Sequence, residues 1–320
     1  MNKLIAVTIG DINGVGIKIL INLWLANKIN NFVLVTNLNI FNNFLKKNKI
    51  KLPLELYKTK KQLNYNKKYF YIYDYPSKND IENTYLSLKK SYDLTINKYC
   101  KGIITLPLNK NIIKKNCNKN FMGQTEYFQN IDNKNISNMI FYSNNLIILT
   151  LTTHIPIKRI NYYIKKKNYI FDKIESFNKT LIKDFNIKKP RIAISGVNPH
   201  AGEEGIIGNE EKKYILPIIK KLKKNNINII GPLSADSLFY KENLKKYDSF
   251  ICFYHDQALI PFKILKGFNG INYTGSLNII RISPDHGTAY DVTINEINNN
   301  SLYECFKNIN FFINNRSKID

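Results

Sequence analysis

The sequence predicts an α/β fold built on a largely parallel sheet. Two observations carry this prediction: continuous apolar runs of strand length, and stretches of helical period that alternate with them. The runs are "LIAVTIG", "NFVLVTN", "KGIITLPL", "NLIILTLTTH", "PRIAISGVN", "NINIIGPLS" and "DSFICFYHD". Runs rich in Ile, Val and Leu are typical of strands buried on both faces. The amphipathic stretches "NTYLSLKKSYDLTINKYC" and "EKKYILPIIKKLKKN" indicate helices between the strands.

The length of 320 residues and the hydrophobic fraction of 44% indicate one large domain or two of ordinary size. No apolar run approaches the roughly 20 residues that a membrane helix needs. The stretch "MNKLIAVTIGD" favours a buried strand over a secretory signal, so we expect a cytoplasmic protein. The cysteines form no CxxC pair, so we expect reduced and mostly buried thiols. They are Cys100, Cys117, Cys252 and Cys305.

The net charge of +24 raises the hypothesis of nucleic-acid binding. The detail argues against it, because almost all the positive charge is lysine and Asn, Ile and Tyr are abundant too. All four residue types have AT-rich codons, so an AT-biased genome accounts for the pattern without a partner. Runs such as "YIKKKNYIF" interleave lysine with apolar residues, as solvated amphipathic faces do. We therefore do not expect nucleic acid to be the partner.

Three of the four histidines follow predicted strands: His154, His200 and His255. In open α/β sheets, ligands bind beyond the carboxyl ends of the strands, so we expect these side chains to share one edge of the sheet. Three neutral imidazoles suit zinc or a related divalent ion and leave positions open for a substrate. Three separate, hydrogen-bonded histidines remain the alternative. Asp256 and Asp285 adjoin histidines and either orient the imidazole rings or cap local structure.

Two further stretches carry possible chemistry. "GDINGVGIKI" resembles a dinucleotide-binding loop, but Ile19 stands at the third glycine position, so a tight strand-to-helix turn is the preferred interpretation. Arg281 in "NIIRISPDHG" stands out because this chain uses lysine almost everywhere else. A guanidinium can grip a phosphate or carboxylate through two parallel hydrogen bonds. A structural ion pair remains the alternative for Arg281.

Taken together, "TIGDINGVG", "SGVNPHAGEEG", "GPLSADSLF", "YHDQALIPFK" and "DHGTAYDV" resemble the 4-hydroxythreonine-4-phosphate dehydrogenase family in content and order. The similarity covers almost the full length. It implies an α/β fold related to isocitrate and isopropylmalate dehydrogenases, with two α/β subdomains flanking a cleft. We expect the first subdomain to comprise residues 1–128 plus 281–320. The second, 129–280, is expected to carry the interface of a homodimer whose active site is shared between subunits.

The resemblance also implies roles for individual residues. One divalent metal ion (zinc, magnesium or cobalt) is expected on His154, His200 and the partner subunit's His255. The expected substrate-binding residues are Gln124, Thr125, Lys263, Asn272 and Arg281. Supporting roles are expected for Asp11, Asp236, Asp256, Asp285 and His286. Contacts to the cofactor NAD are expected from Asn198, Gly202 and Glu203.

The family's reaction is the NAD-dependent oxidation and decarboxylation of 4-phosphooxy-L-threonine to 3-amino-2-oxopropyl phosphate, in pyridoxal 5'-phosphate biosynthesis. The chain departs from the family pattern at Gln124, where the family has histidine within Gly-His-Thr-Glu. Ile12 and Lys18 replace a usual proline and glutamate, and Ala258 replaces a usual glycine. Glutamine can form hydrogen bonds but cannot carry a proton in catalysis. A related dehydrogenase of phosphorylated four-carbon sugar acids and a non-catalytic basic binding protein remain the alternatives.

Overall fold

The structure, a computed structural model, describes residues 4–59, 65–144, 146–290 and 300–318. The predicted α/β class is confirmed, and each of the seven predicted runs contains a strand. The last two residues of the "DHGTAYDV" motif lie outside the described residues.

Strands and helices alternate along most of the chain. The strands are β1 (Ile5–Thr8), β2 (Phe32–Val35), β3 (Leu54–Leu56), β4 (Phe70–Tyr73), β5 (Gly102–Ile104), β6 (Asn138–Ser143), β7 (Leu146–Thr150), β8 (Ile192–Ser195), β9 (Ile229–Leu233), β10 (Ser249–Cys252), β11 (Ile271–Gly275) and β12 (Arg281–Pro284). The helices are α1 (Val15–Leu25), α2 (Leu38–Lys47), α3 (Asp80–Ile96), α4 (Lys110–Asn116), α5 (Gln124–Ile131), α6 (Ile160–Ile164), α7 (Lys167–Lys183), α8 (Leu216–Lys224), α9 (Lys241–Lys246), α10 (His255–Lys266) and α11 (Asn300–Arg316). A π-helical turn, Glu211–Ile215, precedes α8.

The chain divides into two compact units. The first comprises Met1–Asn133 and Leu277–Ile313, and the second comprises Lys134–Ser276 and Asn314–Asp320. The sequence-based expectation differs mainly at the C-terminus, because it assigns all of 281–320 to the first subdomain. Hydrogen bonds between the last turn of α11 and the second unit explain why Asn314 and the residues after it group there.

In the first unit the strand order is β3-β4-β2-β1-β5-β12, and every pairing is parallel. The four residues of β1 are all buried, as are those of β2. Val33, Val35 and Ile103 pack in one core with Leu88 of α3. Asparagine, which is abundant in this chain, caps the helices α2, α3 and α4 by accepting hydrogen bonds from free backbone N–H groups.

The turn between β1 and α1 requires glycine at its first position. Gly10 has a φ of +64°, and a Cβ there would lie 2.6 Å from the carbonyl oxygen of Pro107. Only glycine combines this left-handed backbone with so close an approach at little cost. The interpretation of "GDINGVGIKI" as a tight strand-to-helix turn is therefore confirmed.

In the second unit the order is β11-β6-β7-β10-β8-β9. β11, β6 and β7 pair antiparallel, whereas β7, β10, β8 and β9 pair parallel. Ile148, Ala193 and Phe250 lie in the core on one face of this sheet, where Phe262 of α10 covers them. The expectation of a largely parallel sheet is confirmed, with the antiparallel pairs confined to this unit.

A buried ion pair within the second unit joins the end of α11 to the end of α7. Asp184 is 2% exposed and accepts hydrogen bonds from Arg316 Nε and Nη2, both at 2.8 Å. The hydroxyl of Tyr273, itself fully buried, donates to the same carboxylate at 2.6 Å. Asn315 Nδ2 donates to the backbone oxygen of Asp184 at 2.9 Å. Every polar group in this cluster has a partner, as burial demands.

Across the described residues, none of the helices combines the length and apolarity needed to cross a bilayer. All four cysteines are free thiols; Cys117 is half-buried and the other three are buried. Burial raises the pKa of Cys100 to about 12, which keeps that thiol protonated at neutral pH.

Asp184→Asn should lower the free energy of unfolding by about 3–5 kcal/mol, because it leaves the buried Arg316 guanidinium without its counter-charge. The control is Glu175→Gln, which removes an exposed pair with Lys179 and should cost less than about 1 kcal/mol. Urea denaturation of both variants measures the difference. Equal losses would contradict the role given to the buried pair.

Candidate active site

The three predicted metal histidines follow three adjacent parallel strands. In the second unit β10 lies between β7 and β8 and pairs parallel with both. His154 comes after β7, His200 after β8, and His255 directly after β10 as the first residue of α10. The carboxyl ends of parallel strands meet at one edge of a sheet, so all three loops begin there. The expectation that these histidines share one sheet edge is confirmed.

The imidazole rings of His154 and His255 lie close together, with their centres 5.7 Å apart. His255 Nδ1 lies 2.7 Å from Asp256 Oδ1. An ionised carboxylate can only accept, so Nδ1 donates and Nε2 of a neutral ring carries the lone pair that a metal requires. An orienting role for Asp256 requires such a contact, and the role itself stays a prediction.

Left-handed backbone conformations present two of the histidines. His154 has a φ of 49° and His200 a φ of 50°, a region that residues other than glycine seldom occupy. His200 is exposed. The neighbouring Ser234 hydroxyl and, to a smaller extent, the charge of His200 lower the pKa of Asp236. His200 and Asp236 are thus close enough to interact.

The donor set fits a divalent ion in chemistry, and one pair of its rings has the spacing that a shared ion requires. Two imidazoles bound to one zinc at about 2.0–2.1 Å place their ring centres roughly 5–6 Å apart, and the rings of His154 and His255 meet this condition. Within the described part of one chain, no three His, Cys, Asp or Glu side chains are grouped closely enough to hold a metal. The expectation that His255 acts in the partner's site is not tested by a single chain.

Arg281, at the start of β12 in the first unit, is 2% exposed. Its Nε and Nη2 donate to Thr105 Oγ1 at 3.0 and 2.6 Å, and its Nη1 donates to Thr125 Oγ1 at 3.4 Å. Nη2 also donates to Gln124 Oε1 at 2.7 Å. Burial lowers the pKa of Arg281 to about 10, which still leaves it charged at neutral pH. The hydrogen-bond acceptors named here, two threonine hydroxyls and a glutamine amide, are all neutral groups.

The other two predicted substrate residues lie in the second unit. Asn272 is on β11, and its Oδ1 is buried with no hydrogen-bond partner. An unsatisfied buried amide oxygen calls for an explanation, and a ligand donor supplies one. Lys263 is on α10, with Nζ 5.8 Å from the centre of the Phe268 ring.

The predicted supporting residues of the first unit have local partners. Asp11 accepts hydrogen bonds from the Asn13 backbone and from the Tyr290 hydroxyl. Asp285 accepts from Ser301 Oγ at 3.0 Å. His286 Nδ1 lies 3.0 Å from the carbonyl oxygen of Gly287, and its Nε2 is buried without a partner.

The predicted cofactor residues lie in a tight turn. Gly202 is buried and has a φ of 83°, and Glu203 is exposed with a φ of 44°. Asn198 uses its side-chain amide to donate to Glu210 and Glu211, both at 2.9 Å. The Asn198 side chain is thus occupied in holding the turn, and the cofactor role of these three residues stays a prediction. Sequence reasoning missed Glu211, because its neighbours are charged and predict a solvated helix start.

A pocket of about 570 Å³ opens in the first unit, beside the turn after β1. Carboxylate, amide and hydroxyl groups share its wall with isoleucine side chains. Its lining residues are Asp11, Ile12, Asn13, Asn79, Asp80, Ile81, Thr84, Asn109, Ile112, Ile113 and Tyr290. Its size is that of a site for a small organic molecule.

Comparison with known proteins gives a family match over residues 26–308, to the pyridoxal phosphate biosynthetic protein PdxA. The chain belongs to this family. The matched residues include all eight predicted metal-binding and substrate-binding positions.

Several curated relatives are named 4-hydroxythreonine-4-phosphate dehydrogenase. The one from Aquifex aeolicus is 43% identical over 191 residues, which is 60% of this chain and 58% of the relative. The one from Bacteroides thetaiotaomicron is 41% identical over 59% of this chain and 52% of the relative. The chain thus matches little more than half the length of these two relatives.

Solved structures extend the similarity over nearly the whole fold. A 4-hydroxythreonine-4-phosphate dehydrogenase from Klebsiella pneumoniae superposes with a TM-score of 0.85 at 25% identity, covering 98% of this chain and 99% of that one. A terephthalate 1,2-cis-dihydrodiol dehydrogenase from Burkholderia xenovorans has a TM-score of 0.62 at 19% identity, a likeness of fold.

Gln124, where the PdxA family pattern described above has histidine, holds two partners at once. Its Oε1 accepts from Arg281, and its Nε2 donates to the Leu106 carbonyl oxygen at 3.0 Å. An amide offers an acceptor and a donor at any pH. An imidazole can do the same only while it is neutral. Gln124 therefore holds Arg281 without dependence on proton concentration.

Gln124→His should make stability depend on pH. The ordinary pKa of histidine is about 6.5, and the adjacent Arg281 guanidinium should hold it lower in the folded state. A lowered folded-state pKa means that the stabilising contact is present above about pH 6.5 and is lost as the pH falls through the folded-state value. Relative to wild type, the melting temperature of the variant should fall between pH 7.5 and pH 5.

The matched control for this variant is Asn130→His, on the exposed side of the same helix. Its melting-temperature difference from wild type should change little over the same range. A Gln124→His difference as flat as the control's would contradict the contact with Arg281.

Proposed function

We propose that this chain is a NAD-dependent 4-hydroxythreonine-4-phosphate dehydrogenase of pyridoxal 5'-phosphate biosynthesis. It oxidises and decarboxylates 4-phosphooxy-L-threonine to 3-amino-2-oxopropyl phosphate. The observation that carries the proposal is the position of three histidines after three adjacent parallel strands, inside the region that matches the family. A cytoplasmic location is part of the proposal.

His154, His200 and His255 would hold one divalent ion: zinc, magnesium or cobalt. When bound, such an ion supplies a Lewis acid that lowers the pKa of a substrate hydroxyl and polarises the ketone that forms. Asp256 keeps Nε2 of His255 directed away from its own carboxylate. Asp236 interacts with His200, and each carboxylate favours the ring orientation it contacts.

Arg281 and Lys263 supply the positive charge that a substrate phosphate and carboxylate require. Arg281 is fixed before substrate arrives, because Thr105, Thr125 and Gln124 hold the guanidinium in place. A pre-positioned cation loses little side-chain entropy on binding. Asn272 adds a buried amide oxygen that can accept from the substrate amine or hydroxyl.

The proposed reaction balances in two steps. A hydride leaves the carbinol carbon for NAD while the hydroxyl proton leaves the oxygen, which forms the ketone. The bond to the carboxylate then breaks, carbon dioxide departs, and the electron pair enters an enolate that is protonated to the product.

The pocket beside the turn after β1 is our candidate for the nucleoside part of NAD. Asp11 and Asp80 can accept hydrogen bonds from ribose hydroxyls, and Ile12 and Ile112 offer apolar surface to a base. The predicted contacts from Asn198, Gly202 and Glu203 remain a second candidate.

We further propose a homodimer that uses α10. On this helix Ile260 and Ile264 are 60% and 79% exposed and lie four residues apart on one face, and Phe268, just beyond the end of the helix, is 55% exposed. Exposed apolar rows of this kind favour burial against another protein. His255 begins the same helix, so a second copy that packs on α10 would lie next to a metal-binding side chain.

The activity test supplies purified, metal-loaded protein with NAD and 4-phosphooxy-L-threonine and follows NADH absorbance. Metal-dependent turnover is expected. His200→Ala should lose more than the roughly 10- to 100-fold that removal of an outer partner of a ligand costs. Glu204→Gln, an exposed change in the same turn, is the control and should retain activity.

Other outcomes separate the alternatives. Turnover of erythronate or threonate phosphates in preference to the amino substrate would favour a sugar-acid dehydrogenase. This alternative is tested because Gln124 replaces the histidine of the family pattern. Salt-sensitive RNA binding by a protein that binds no divalent metal would favour a basic binding protein. Either outcome contradicts the main proposal.

Ile264→Lys should convert the dimer to a monomer, because it places a charge in the centre of the proposed apolar interface. Light scattering after size-exclusion chromatography measures the mass. The control is Lys220→Ala, an exposed change on α8, which should leave the mass unchanged. A wild-type protein that is monomeric at micromolar concentration would contradict the dimer.

A further inference from the structure

One buried carboxylate underlies the turn that carries His200. Glu211, at the start of the π-helical turn, is 3% exposed. Its Oε1 accepts hydrogen bonds from the backbone N–H groups of Val197 and Asn198 at 2.7 and 2.8 Å. Its Oε2 accepts from the side-chain amide of Asn198 at 2.9 Å. Three donors thus converge on a single acidic group.

The turn itself has an unfavourable backbone. Six consecutive residues have positive φ values, and four of them are not glycine. They are His200 (50°), Ala201 (53°), Gly202 (83°), Glu203 (44°), Glu204 (56°) and Gly205 (106°). A left-handed conformation brings Cβ too close to the following carbonyl oxygen in L-residues. Such a segment persists when contacts with the surrounding structure outweigh its backbone strain.

Packing against Glu211 is one of the contacts that hold the turn in this conformation. A Cβ on Gly202 would lie 2.7 Å from Glu211 Oε2 and 2.5 Å from the Gly208 carbonyl oxygen. A Cβ on Gly196 would lie 2.7 Å from Cα of Ala201. The turn is therefore closed directly onto the carboxylate, with no space for a side chain between them.

We propose that Glu211 is the positioning residue for His200. It anchors the backbone before the turn through Val197 and Asn198 and supports the middle of the turn at Gly202, so it sets the direction in which the imidazole projects. Glu211 makes no contact with substrate. The link to metal binding rests on the proposed function, whereas the link to the His200 ring does not.

The two acceptor oxygens of the side chain are part of the proposal. A carboxylate is an acceptor at both oxygens, which matches three donors. A glutamine of the same shape has one acceptor oxygen and would turn an NH₂ group toward at least one N–H donor. Glu211→Gln should therefore loosen the turn although it changes the volume very little.

The first readout needs no metal. The chain has four histidines, so the His200 ring signal in a nitrogen–proton NMR correlation can be assigned by its loss in His200→Ala. In Glu211→Gln the His200 signal should shift or broaden while that of His286 stays in place. Amide exchange at Val197 and Asn198 should accelerate at least about 10-fold, since a hydrogen bond to a charged acceptor is lost.

The second readout uses Co²⁺ alone as the probe, titrated into the full-length protein by calorimetry. Glu211→Gln should weaken Co²⁺ binding about 10- to 100-fold, the range for outer partners of metal ligands. In a double-mutant cycle, Glu211→Gln should have almost no further effect on a His200→Ala background, because it acts through His200. A role limited to general stability would weaken binding on both backgrounds.

The matched control is Glu210→Gln. Glu210 is the preceding residue and bonds the same Asn198 amide at 2.9 Å, but it bonds neither backbone N–H described above. It should change Co²⁺ affinity less than about 3-fold, the usual scale of one partly exposed contact. Should Glu211→Gln fail to fold, Glu211→Asp tests the same contacts, because it keeps both acceptor oxygens but withdraws them from the N–H groups of Val197 and Asn198.

A His200 ring signal that is unchanged in Glu211→Gln would overturn the proposal. An altered signal with unchanged Co²⁺ affinity would also overturn it, since the aim of the ring would then not matter for metal binding. A wild-type protein that binds no Co²⁺ contradicts the proposed function instead, and the NMR comparison still decides whether Glu211 positions His200.

Discussion

Parallel hydrogen bonding between β7, β10 and β8 is the constraint on which the candidate metal site depends. Phe250 of β10 is in register with Ile148 of β7 and Ala193 of β8. This pairing requires the loops that follow the three strands to begin at the same edge. Distant segments of sequence therefore deliver imidazoles to one place, and apolar burial stabilises the hydrogen-bonded strands that deliver them. Mobility in the loops does not alter which loops are neighbours.

Six of the seven strands predicted from the sequence are buried along their whole length, and the exception, β9, is buried only at its first residue. Among the described strands that escaped prediction, β11 and β12 each carry a polar residue at a key position. Asn272 and Arg281 interrupt the apolar pattern, and each is a residue for which a substrate role is proposed. Arg281 is tolerated inside the first unit because Thr105, Thr125 and Gln124 lie within hydrogen-bonding distance. Those partners come from other elements, so a reading of the neighbouring sequence could not find them.

The candidate site shows the same division. The histidines were visible because the chain contains few of them and because they follow apolar runs. Glu211 was not visible, since the local pattern "NEEKKY" is that of an exposed helix start. Glu211 is buried because a turn of left-handed residues, most of them not glycine, packs against it. Such a turn cannot be predicted from residue composition. Residue type predicts what chemistry a group can perform; the backbone around it determines whether the group is presented.

The left-handed positions also bear on how this chain has tolerated drift in its composition. Fifteen non-glycine residues with positive φ occur among the described residues, and six of them are asparagine: Asn27, Asn31, Asn133, Asn144, Asn186 and Asn226. None is isoleucine, the other residue that AT-rich codons supply in quantity, because a β-branched side chain clashes there. Isoleucine and asparagine are both common in this chain, but they occupy different backbone conformations: isoleucine is found in the buried strands and asparagine at left-handed turn positions. Ala201, Glu203 and Glu204 have left-handed backbones without being asparagine, and an isoleucine at any of them would place a β-branched side chain where this backbone has no room for it.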